Sequence, residues 1–128
     1  MISEIIDKVK GRLRDDEVRL LDGMLFKFNN ILEYFNKSNL RYVARLDVYV
    51  TDSKLFGRRI VSFTVYVSRR DDSVEGEVVI QFYYDLDARE GAFSGLYCDV
   101  CWLSPEDALE ILRLASQLVL VFYGGVVV

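Results

Sequence analysis

At Leu40 the hydrophobic period of the chain changes, and this change constrains the fold more than any other feature. Before it, Val18, Leu21, Leu25, Phe28, Leu32 and Phe35 recur at alternating spacings of three and four. That is the signature of one apolar helix face. Leu20, Met24 and Ile31 widen the stripe beyond a coiled-coil seam. After it, "LRYVARLDVYVT" alternates with a period of two, placing Tyr42, Ala44, Leu46, Val48 and Val50 on one face of a strand. Two further runs repeat the alternation. Val61, Phe63, Val65 and Val67 oppose Ser62, Thr64, Tyr66 and Ser68, and Val78, Ile80, Phe82, Tyr84 and Leu86 oppose Val79, Gln81, Tyr83 and Asp85. A fourth run, "AFSGLYCDVCW", alternates less well and holds Gly95, which reads as a bulge or bend.

Two more helices flank this pattern. Ser3 reads as the cap of a short one, with Ile5, Ile6, Val9 and Leu13 as its stripe and Gly11 weakening its end. Asp15 and Asp16 open the long helix, where acids meet the partial positive charge of a helix N-terminus, and "NKSN" at 36–39 ends it. Near the other end, Ser104-Pro105-Glu106-Asp107 is a strong helix start. The helix it opens is apolar around most of its circumference, with a narrow polar stripe of Glu110, Arg113 and Gln117, which predicts burial on more than one side. The polar, glycine-terminated connections between strands suit hairpins. The reading is therefore a single α+β domain over 1–128, in the order α-α-β-β-β-β-α. A four-stranded antiparallel meander carries its helices on one face.

Composition narrows the chemistry. The 128 residues include no histidine, which removes the commonest general base and metal ligand and forbids any Ser-His or Cys-His pair within the chain. A net charge of −4 argues against a general nucleic-acid binder. The early charges of "MISEIIDKVKGRLRDDE" do not read as a signal peptide, and the apolar region 108–122 is broken by charges and too short to span a bilayer. The expected location is cytoplasmic. Eleven arginines against five lysines, two glutamines and one proline add a faint thermophilic signature.

Four features invite a functional reading. Cys98 and Cys101 share the C-x-x-C spacing, but zinc needs four ligands and a redox pair should open a helix rather than precede its cap. On a regular strand the two would point to opposite faces, out of disulfide reach, so they read as small buried hydrophobes. The acids of "DLDARE", Asp85, Asp87 and Glu90, lack the spacing of a calcium loop and read as solvated hairpin acids. The pairs Arg58-Arg59 and Arg69-Arg70 bracket the second strand and read as charges that guard against sheet-to-sheet association. The polar sheet face is more informative. The meander places Arg45, Tyr49, Thr64, Tyr66, Gln81, Tyr83, Tyr97 and Asp99 on one surface, and tyrosine and arginine are the residues that protein interfaces enrich.

The expected function follows by subtraction: a non-enzymatic, adaptor- or chaperone-like protein-interaction domain, homodimeric, with no cofactor, no metal site and no catalytic residue. Its candidate interaction surface is Arg45, Tyr49, Tyr66, Gln81, Tyr83 and Tyr97. The tail residues Val126, Val127 and Val128 read as a short strand seeking an edge, within the chain or in a second copy. The alternative is a small-ligand or lipid binder with a pocket between sheet and helices lined by Phe28, Phe63, Phe82 and Trp102. A third reading, a magnesium enzyme built on Asp47, Asp85, Asp87 or Asp99, ranks last. No membrane or nucleic-acid partner is expected.

Overall fold

The computed structural model describes residues 2–53, 57–71, 76–98 and 103–123. Helix α1 (Ile2–Val9) runs through a 3-10 turn (Lys10–Arg12) into the long helix α2 (Asp15–Ser38). Strands β1 (Tyr42–Ser53), β2 (Arg58–Arg69), β3 (Val78–Asp85) and β4 (Glu90–Tyr97) follow, and α3 (Pro105–Tyr123) closes the described chain. Helix α1 begins at Ile2, so Ser3 lies inside the helix rather than before it.

The sheet is an antiparallel meander in the order β1-β2-β3-β4. Its register pairs apolar with apolar on one face: Val48 faces Phe63, which faces Phe82, and Leu46 faces Val65, which faces Ile80. The inward residues of α2 (Leu21, Leu25, Phe28, Leu32) and of α3 (Ile111, Leu114, Leu118) are buried against this face. At the centre of the core Phe28 meets Phe63, Phe82 and Phe122, with ring centroids 5.2, 5.6 and 5.4 Å away. Tilted and edge-to-face rings of this kind add about 0.5–1.5 kcal/mol each beyond their area. Gly91 makes room for the cluster, because a side chain there would collide with the Phe122 ring.

The fourth strand bends where its glycine lies. Gln81 opposes Gly95 while Phe82 opposes Phe93, so Ser94 is the extra residue of a bulge. The Tyr97 hydroxyl would lie 2.8 Å from a Cβ at Gly95, so the exposed tyrosine ring folds over the glycine.

Long-range polar contacts hold the layers in register. Glu17, buried in the first turn of α2, accepts from the Arg14 amide at 2.9 Å and from both Arg59 guanidinium nitrogens at 2.8 and 2.7 Å. This ties the start of α2 to β2. At the other end of α2, Asn39 Oδ1 accepts from the Arg41 and Tyr42 amides at 2.9 and 2.8 Å and turns the chain into β1. The outer edge of β1 is sealed by side chains. The Asn36 amide both donates to and accepts from the Ala44 backbone, at 2.9 and 2.7 Å, and Arg12 donates to the Val50 carbonyl at 2.7 Å. Such contacts satisfy groups that an edge strand otherwise leaves open for pairing.

Candidate interaction surfaces

Two surfaces stand out, one on the sheet and one on the helices. On the sheet, the register puts Arg45 opposite Tyr66, Thr64 opposite Gln81, Ser62 opposite Tyr83 and Val79 opposite Tyr97, with Tyr49 opposite Ser62 on the other side. All six expected interface residues therefore share the face turned away from the core. Tyr49, Tyr83 and Tyr97 are 40, 39 and 53% exposed. The Arg45 guanidinium lies 4.3 Å above the half-buried Tyr66 ring and 3.6 Å from Glu77.

Gln81 departs from the expectation: it is buried. Thr64, also buried, donates to its Oε1 at 2.7 Å, while its Nε2 donates to the Phe82 and Phe63 carbonyls at 3.1 and 3.4 Å. The amide is satisfied within the two inner strands and offers nothing to a partner. Asp99 and the valines at 126–128 lie outside the described residues.

The helical surface was not foreseen in this form. Helix α3 is buried on one side only, through Ile111, Leu114, Ala115 and Leu118, while Leu109, Leu112 and Leu120 on its opposite side are 60, 54 and 44% exposed. Arg113 and Gln117 of the polar stripe are exposed as well, but on the flank toward α2. Glu110, Arg113 and Gln117 line the seam with α2, beside Tyr34, Phe35 and Ser38. Further along the seam lies an open groove of about 570 Å³, lined by Lys27, Asn30, Ile31, Tyr34, Gln117, Leu120 and Val121. Tyr34 is 71% exposed at its rim. The signal for this surface is present in the sequence: leucines at i, i+3 and i+11 on a helix that already has a full buried face.

The other candidates resolve into structural roles. Arg58 pairs with Asp85 at 3.0 Å, and Arg59 pairs with Glu17 and, at 3.5 Å, Asp87. Arg69 pairs with Asp71 at 3.1 Å, and Arg70 donates to the Asn36 and Asn39 carbonyls at the end of α2. The arginine pairs thus bind the fold together, not merely guard its edges. Asp85 is not a free hairpin acid. Its Oδ1 accepts the Asp87 and Ala88 amides at 2.9 Å each. The bond from Ala88, then those from Asp87 and Arg58, hold its carboxyl below the ordinary range against the opposing effect of burial. For Glu17, burial alone would raise the carboxyl, but Arg59 and the Arg14 amide outweigh it and hold it low. Among the described residues, no three acidic or cysteine side chains gather to hold a metal ion.

Cys98 corrects the strand argument. β4 ends at Tyr97, so Cys98 lies beyond the regular strand, and it is disulfide-bonded. It packs partly buried against the core as expected of a small apolar residue, but not as a free thiol. Cys101 lies outside the described residues.

The pocket foreseen between sheet and helices is filled. Phe28, Phe63 and Phe82 are fully buried and packed on one another, with Phe122 closing the space at 5.3 and 5.5 Å from Phe63 and Phe82. Trp102 lies outside the described residues. Among the described residues, no helix is long and apolar enough to cross a membrane. Comparison with protein-family models, with curated proteins and with solved structures finds no match.

Proposed function

We propose that this chain is a non-enzymatic protein-interaction domain that docks through the outer face of its helical layer. The observation that carries this reading is the set of exposed leucines Leu109, Leu112 and Leu120, flanked by the exposed Arg113, beside the apolar groove at Tyr34. Isolated exposed leucines are ordinary, but an aligned set along one helix, continuous with a groove, is what interaction sites present. The sheet face is a second docking surface of a different kind. Its exposed tyrosines and stacked arginine suit a polar protein contact, with Gln81 left out of it. A small-ligand reading keeps one foothold, the groove between the helices, whose volume lies in the usual range for ligand sites.

We place the chain in a cytoplasm, and in a thermophile. Intracellular disulfides are common in hyperthermophiles and rare elsewhere, so the bonded Cys98 and the arginine-rich composition fit together. A melting temperature of about 45–65 °C, the mesophile range, would count against that placement.

The test of the docking surface is a charged triple variant, Leu109→Glu, Leu112→Glu and Leu120→Glu, compared with Tyr83→Ala on the sheet. The helical variant should keep the wild-type fold and lose protein association measured by native mass spectrometry and quantitative co-purification. An association profile unchanged in the helical variant, or a retained small-molecule mass that disappears in it, would overturn the reading.

A further inference from the structure

We propose that the outer edge of β4 is a strand-addition site. Its occupant is an extended segment of another protein, with apolar residues on one side and a lysine or arginine on the other. The site lies on the sheet and stands independently of the helical docking face.

The two edges of the sheet are finished differently. The backbone of β1 is closed by the side chains of Asn36 and Arg12, which bond to Ala44 and Val50. The other edge strand, β4, pairs with β3 alone. Among the described residues, no further strand and no side chain bonds its outer backbone groups. Glu90, Ala92, Phe93, Ser94, Leu96 and Tyr97 are all exposed. An edge strand turns amides and carbonyls outward at alternate residues, and what satisfies a row of both is another extended backbone. The strand "EGAFSGLY" also holds no lysine, arginine or proline, the residues that usually guard an open edge.

The core reaches this edge and stops unclosed. Phe93 and Leu96 are three residues apart, so on a regular strand they would point to opposite faces. The bulge at Ser94 changes that: Phe93 opposes Phe82 and Leu96 opposes Ile80, both on the core side. Phe82 and Ile80 are fully buried, yet Phe93 and Leu96 remain 42 and 36% exposed. A strand added here would set apolar side chains beside these two and continue the core layer.

Charge selects the partner further. Glu90, the one charged residue of β4, lies on the other face, directly across from Asp85. Like charges facing each other across strands repel. Arg58 pairs with Asp85 at 3.0 Å, whereas no cation pairs with Glu90 among the described residues. A lysine or arginine on the incoming strand fits beside it. The β4 strand of a second copy has no such cation to offer, so the occupant is a different sequence.

The experiment selects a phage library of random decapeptides against the full chain. Selected peptides should alternate apolar residues, carry a lysine or arginine, and slow hydrogen exchange at outward amides of β4. N-methylating a selected peptide at one set of alternate amides should weaken binding roughly tenfold or more, because those amides bond to β4. The intervening set should tolerate it. Glu90→Lys should weaken the same peptides roughly threefold or more. Failure to select any peptide overturns the proposal, as do peptides that tolerate N-methylation everywhere or that protect the helical face instead. Amides of β4 already protected in the free chain overturn it too. Protection independent of protein concentration would mean that the chain fills its own edge, and protection that rises with concentration would make a second copy the occupant. None of these outcomes touches the helical docking reading, whose test is the leucine variant above.

Discussion

Helices α2 and α3 lie side by side on the same sheet, yet they treat solvent differently. α2 buries Leu21, Met24, Leu25, Phe28, Leu32 and Phe35 and turns mostly polar residues outward, including Asp22, Lys27, Asn30 and Glu33, with Phe26 and Tyr34 as exceptions. α3 buries Ile111, Leu114, Ala115 and Leu118 and turns Leu109, Leu112 and Leu120 outward. One inward stripe is enough to hold a helix on a sheet. The second stripe of α3, half-exposed, is therefore not what seats the helix on the sheet. The difference teaches that apolar content alone does not locate a core, since three leucines of α3 face water although its buried side is already complete.

The sharpest break of this comparison is at the centre of the core. Phe28→Ala on α2 should cost about 3–5 kcal/mol, read as a fall in the urea midpoint, because it empties the position shared by three other rings. A loss below 1 kcal/mol would mean that the rings repack and that α2 is not the anchor. Next comes Glu17→Gln, which leaves Arg59 with only the longer, more exposed pairing to Asp87. The cost should be about 2–3 kcal/mol, below the usual figure for a fully buried pair because Arg59 is partly exposed. The pH dependence carries the sign. Glu17 is held below its ordinary 4.5, so its contribution is full above that pH and disappears as pH falls through the lowered value. Stability curves of wild type and variant should converge in acid, and parallel curves would show that the pair is inert.

A smaller effect is expected at the sealed edge. Asn36→Ala removes both bonds to Ala44 and should cost about 1–2 kcal/mol, with faster hydrogen exchange at the Ala44 amide. Unchanged exchange there would refute the seal. The smallest effect belongs to the outer stripe. Leu109→Ser, measured at a protein concentration below association, should shift stability by no more than about 0.5 kcal/mol. A concentration-independent loss several times larger would place Leu109 in the monomer's own core and erase the contrast between the helices.

Much of the fold was legible because periodicity is a property of single elements. The stripe from Leu21 to Phe35 is buried as its spacing predicts, and three alternating runs became three strands whose apolar sides meet across the register. The sheet face was legible in membership but not in exposure. Gln81 lies on an inner strand directly opposite Thr64, and the two satisfy each other there. Alternation assigns a residue to a side but does not say whether that side is open above it.

By itself, then, the sequence determined the element order, the antiparallel meander, the core side of the first three strands and the absence of histidine chemistry, because these depend on local pattern and residue type. Tertiary structure decided the rest. Glu17 meets Arg59 and Asn36 meets Ala44 only after α2 lies along the sheet, so no local spacing announces either contact. Nor does a helix that is apolar nearly all round have a unique inner side. The Phe122 ring fits between Phe28, Phe63 and Phe82 above the bare backbone of Gly91. That fit sets the rotation of α3, and with it the leucines that face water.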